Sequence, residues 1–132
     1  MRTATRAALL WTSAVAWAAG IFALSCMRFP PKPPWFAHQD KIVHMILFGV
    51  LALLLFLAFR CERRWTARLC FLVASLAASL YGATDELHQL LTPGRSPDLA
   101  DWFADACGAV LFAGVAALFA RGRPALPGAR AA

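Results

Sequence analysis

From Ala7 to Met27 the chain runs 21 residues without a charged side chain, and three further apolar stretches follow, each bounded by charges or prolines. A helix needs about 20 mostly apolar residues to cross the hydrocarbon core of a bilayer, because it rises about 1.5 Å per residue. A chain of 132 residues has room for four such spans and little else. With 61% hydrophobic and 15% charged residues, a bilayer is the natural solvent. The fold class is therefore all-α, an integral membrane four-helix bundle. A single domain is expected over residues 1–120, and a basic, disordered cytoplasmic tail over 121–132.

The first helix is predicted from about Ala7 to Met27. Its apolar run exceeds a usual signal-peptide core, so it reads as a retained span. Pro30, Pro31, Pro33 and Pro34 stop it, and Trp35 and Phe36 in the loop that follows suit the headgroup level. A second helix is predicted from near Asp40 to Phe59, ending at Arg60, and the stretch to Arg68 forms a compact basic turn. The third runs from about Ala67 to Leu91, but its uncharged part, Leu69 to Thr84, is only 16 residues. Asp85, Glu86, His88 and Gln89 must therefore lie in or near the interface. Thr92-Pro93-Gly94 breaks the chain, and Ser96 followed by Pro97 signals a fourth helix running to about Ala120. Asp101 and Asp105 then reach into the membrane edge. Cys26, Cys61, Cys70 and Cys107 show no close-paired spacing and read as small apolar packing residues.

The net charge of +6 does not describe a nucleic-acid surface, because the basic residues sit in short clusters between apolar runs. One face, made by the amino terminus, the middle turn and the tail, carries nine of the thirteen Lys and Arg residues and one acid, Glu62. The other carries Arg28, Lys32, Lys41 and Arg95 against Asp40, Asp85, Glu86, Asp98, Asp101 and Asp105. Lys and Arg favour the cytoplasm, so both termini are expected there.

All three histidines, His38, His44 and His88, fall on the acidic side. Asp40 and His44 are four apart; Tyr81, Asp85 and His88 share one helix face, and Asp98, Asp101 and Asp105 another. Ionisable groups at membrane depth are costly, face the bundle interior and mark function. The simplest structural account has them capping helices and pairing as interfacial salt bridges, for example Lys41 with Asp85 or Arg95 with Asp101. As a set they point to a site. Lys41 and Arg95 stand at outward helix amino termini, which favour anions, and Arg95 could hold a phosphate with two bonds. Aspartates beside such donors would admit a divalent cation, although the spacing is no diagnostic metal signature.

The residues Asp40-Lys41 with His44, the run Tyr81 to Gln89, Pro93-Gly94-Arg95-Ser96, and Asp98 to Asp101 leading to Asp105 and Gly108 closely resemble the VanZ-like family of small bacterial membrane proteins. The resemblance extends from about Asp40 to Gly114. It implies a multi-pass protein of the bacterial inner membrane, in a family whose namesake lowers susceptibility to the glycopeptide teicoplanin. It implies no catalytic residues, and many relatives carry asparagine at the position of Asp105.

The function expected from both lines is binding of, or action on, a phosphorylated lipid or lipid-linked envelope precursor at the outer leaflet. Acid–base or cation duties would fall to His44, Asp85, Glu86 and Asp101. Asp40, Lys41, His88, Gln89, Arg95, Ser96, Asp98 and Asp105 would bind. Two other classes use the same residues. One is a non-catalytic scaffold, with Gly20, Gly49, Gly82 and Gly108 allowing close helix packing. The other is a proton-coupled transporter subunit, which would have to work as an oligomer because the opposite helix halves lack ionisable groups.

Overall fold

The computed structural model describes residues 3–27, 35–62 and 65–121. The proline stop at Pro30 to Pro34, the charges Arg28, Lys32, Arg63 and Arg64, and the tail beyond Arg121 lie outside the described residues. Four helices account for nearly all the rest: α1 (Thr3–Ser25), α2 (Gln39–Glu62), α3 (Ala67–Gln89) and α4 (Leu99–Ala120). Each is long and apolar enough to cross a membrane. Their outward faces carry Leu72, Leu76 and Leu80 on α3 and Val115, Leu118 and Phe119 on α4, all exposed. An apolar surface of that extent is suited to lipid and not to water.

Consecutive helices run antiparallel, which gathers the acidic segments at one end of the bundle. α4 packs most extensively on α2 and next on α3, while α1 lies against α2 and touches α3 lightly. The core explains this order. Phe48, Leu51, Ala52 and Phe56 of α2 face Cys70, Ala74 and Ala78 of α3 and Ala109 and Ala113 of α4. The α3 and α4 stripes are small residues spaced four apart, and small residues let backbones approach when no water is expelled to drive association. Gly108 is the closest point: a Cβ there would run into the backbone carbonyl of Met45 on α2. Gly20 has no such neighbour, so its expected packing role does not hold among the described residues.

Polar pins fasten α1. The Trp17 indole N–H donates to the Leu47 carbonyl of α2 at 2.9 Å, and the Tyr81 hydroxyl of α3 donates to the Ala18 carbonyl at 2.8 Å. At the basic end the Trp11 indole N–H donates to Glu62 Oε2 at 2.6 Å, and Arg60 Nη1 donates to the Trp65 carbonyl at 2.7 Å.

The start of α4 differs from expectation. Its cap is Asp98, whose side chain accepts the Ala100 N–H, so the helix begins at Leu99 and not at Pro97. Asp98 combines an extended backbone with a charged acceptor, and a carboxylate complements the helix amino terminus better than the hydroxyl of Ser96 does. Ser96 is exposed. Thr92 to Arg95 closes a tight turn through the Arg95 N–H and Thr92 carbonyl at 3.1 Å. Pro93 fits its second position, and Gly94 supplies the left-handed φ of 87° that its third requires. The cysteines also divide: Cys61 and Cys70 are buried as expected, whereas Cys26 and Cys107 are exposed.

Candidate functional site

At the polar end, α2, α3 and α4 converge on one cluster. α2 supplies Asp40, Lys41 and His44 from its first two turns. The Lys41 ammonium lies 2.6 Å from Asp98 Oδ2, 2.6 Å from Asp101 Oδ1 and 3.0 Å from Asp40 Oδ2. It does not pair with Asp85, because α2 packs more extensively on α4 than on α3, and Asp101 pairs with Lys41 and not with Arg95, whose guanidinium turns to carbonyls of α1 and the residues just after it. Asp98 stands just before α4, outside the spans. The Lys41 ammonium, and after it the Ala100 N–H, holds its carboxyl below the ordinary value of 3.8.

One turn deeper, His44 Nδ1 lies 2.9 Å from Asp105 Oδ1, and Asp105 has no solvent exposure. Its pocket exists because α3 carries glycine opposite: a Cβ on Gly82 would meet Asp105 Oδ2 at 2.7 Å. The other imidazole nitrogen, Nε2, faces Asp101 Oδ2 at 4.0 Å, too far for a hydrogen bond. α3 adds Glu86, whose Oε2 accepts the Asp98 backbone N–H at 2.8 Å and so helps to start α4. The Gln89 amide spans Asp85 and Glu86 at 3.5 and 3.3 Å. Asp85, Glu86 and Gln89 are all buried.

Not every residue expected here joins the cluster. His88 turns toward α1, its Nε2 lying 3.3 Å from Cys26 Sγ and its ring 4.8 Å from Phe22. Its face therefore parts from that of Asp85. Arg95 directs its guanidinium to the Leu24 and Met27 carbonyls, tying the last turn of α1 to the α3–α4 connection. His38 precedes α2 with a φ of 60° and is exposed.

An open groove runs from the cluster between α3 and α4, with a volume of about 550 Å³. Ala83, Leu87, Leu90, Pro97, Leu99 and Trp102 form its walls, and Glu86 and Asp98 form its polar edge. Sequence reasoning did not foresee it, because its residues look like ordinary lipid-facing positions. The one signal was Trp102, an aromatic at the mouth of a helix, whose indole N–H donates to the Ser79 carbonyl at 3.1 Å. In the other direction the core closes over Phe48, Leu51, Ala52 and Phe56, so no chain of ionisable groups leads inward among the described residues.

A family model for VanZ/LLP1 matches residues 6–120, which takes in α1 as well as the acidic motifs of α2 to α4. No curated protein and no solved structure matches the chain. Four apolar helices and a match over nearly their whole length lead to one assignment: the chain belongs to the VanZ/LLP1 family.

Proposed function

We propose that the protein binds a phosphorylated lipid from the outer leaflet of the bacterial inner membrane, with the headgroup at the polar cluster and a chain in the α3–α4 groove. The observation that carries this reading is the continuity of the two: the groove's apolar walls end at Glu86 and Asp98. Asp98 in turn holds Lys41. A lipid is the ligand class that needs an apolar trough and a charged end together. The first turn of α4 supplies its dipole to a phosphate, and Lys41 adds a point charge by releasing Asp40, the longest of its three aspartate contacts. The basic end then faces the cytoplasm, with both termini. In cells, altered teicoplanin susceptibility is the expected consequence of binding an envelope precursor.

The test is lipid co-purification in mild detergent, read by mass spectrometry, for wild type and Ala83→Trp. A bulky side chain at position 83 fills the groove and replaces none of the charged groups. Wild type should retain a phosphorylated lipid at near one per chain, and Ala83→Trp should lose at least ten-fold. Separate identification of diacyl phospholipids and polyprenyl phosphates names the source. Equal retention by a folded Ala83→Trp would sink the groove as the binding site.

A further inference from the structure

We propose that His44, Glu86 and Asp101 form a binding site for one first-row divalent metal ion, with Asp105 as the positioning residue behind His44. One ligand atom from each of the three residues lies within 4.8 Å of the others, and each residue comes from a different helix. Ligands of a small divalent ion at about 2.1 Å from it stand about 3.0–3.4 Å apart, so the widest pair must close by about 1.4–1.8 Å and the 4.0 Å pair of His44 and Asp101 by less.

The second observation is the state of His44. Asp105 Oδ1 sits 2.9 Å from Nδ1, and an ionised Asp105 takes the Nδ1 proton of a neutral ring, which leaves Nε2 with its lone pair outward. That lone pair faces Asp101 Oδ2 at 4.0 Å, acceptor against acceptor. An imidazolium would instead carry a proton on Nε2 with no carboxylate near enough to accept it. A cation between the two atoms satisfies both. The arrangement of carboxylate, histidine and open Nε2 is the one that metal sites use to orient a ligand histidine and raise its basicity. Asp105 is fully enclosed, its Oδ2 without a hydrogen-bond partner among the described residues, so its contact with His44 is what the buried carboxylate contributes.

Charge agrees. Six carboxylates, Asp40, Asp85, Glu86, Asp98, Asp101 and Asp105, gather at this end and three of them share Lys41, so a divalent ion offsets part of the excess negative charge. One imidazole with two carboxylates favours Zn2+ or Mn2+ over Mg2+ or Ca2+, which prefer oxygen alone. The remaining coordination positions would hold water or an anionic oxygen. This site stands on the triad geometry and does not depend on lipid binding.

The experiment uses the full chain in detergent, stripped with a chelator and dialysed separately against Zn2+, Mn2+, Mg2+ and Ca2+, with metal counted by elemental mass spectrometry. Wild type should hold about one Zn2+ or Mn2+ per chain. His44→Gln and Glu86→Gln should hold at least ten-fold less, and Asp105→Asn should bind about 10–100-fold more weakly. Because Glu86 also helps to start α4, Co2+ is added to the wild type as a second readout that needs no substitution. A visible ligand-field spectrum, displaced by Zn2+, is expected. Failure of the wild type to retain stoichiometric Zn2+ or Mn2+, or full retention in folded His44→Gln, would overturn the site. Metal without lipid would leave it standing and remove the preceding reading.

Discussion

Gly108 shows how much of this bundle rests on single atoms. Its α-carbon lies so close to Met45 of α2 that an added methyl group would meet a backbone carbonyl, which has no room to give. Gly49 meets a ring instead: a Cβ there would lie 2.6 Å from Phe112, a side chain that can rotate. Gly108→Ala should therefore destabilise the protein by about 1–3 kcal/mol, the usual cost of overpacking, and Gly49→Ala by less. Thermal unfolding of both variants in the same detergent checks the order, and equal losses would contradict it. The glycines were visible in the sequence as candidates for close packing. What each one meets was not, since that depends on how the helices are rotated about their axes.

Helix α4 owes its start to three contributions: its own cap at Asp98, the Glu86 carboxylate of α3 on the Asp98 N–H, and Lys41 of α2 on the Asp98 carboxylate. Asp98 is the exposed member, and its folded value lies below the ordinary 3.8. A lowered carboxyl stabilises the fold fully above the ordinary value and loses that effect as pH falls through the folded one. Asp98→Asn should therefore melt below wild type at neutral pH, and the gap should narrow toward zero below about pH 3.8. Unfolding curves at pH 7 and pH 3 test it. At this scale the sequence was most legible: four helices, their order and their antiparallel run follow from apolar length and flanking charge. The start of α4 was misplaced by two residues, because Ser96-Pro97 is a local signal and the winning cap draws on two other helices. The cluster was legible as a group of residues but not as pairs. Helical spacing put His88 with Asp85, whereas packing against α1 turned it to Cys26.

For the whole molecule, the proposed orientation has its own test. A periplasmic reporter enzyme should be inactive when fused after Ala132 and active when inserted at Gly94, and the reverse pattern would invert the assignment of the polar end. The origin of the cluster in three separate helices has a further consequence. A ligand that needs His44, Glu86 and Asp101 together can bind the assembled bundle but not helices that have come apart. By mass action, such a ligand at a hundred times its dissociation constant adds about 2.7 kcal/mol to the assembled state. The bundle's resistance to heat would then rise and fall with the supply of its ligand, making melting temperature a gauge of occupancy.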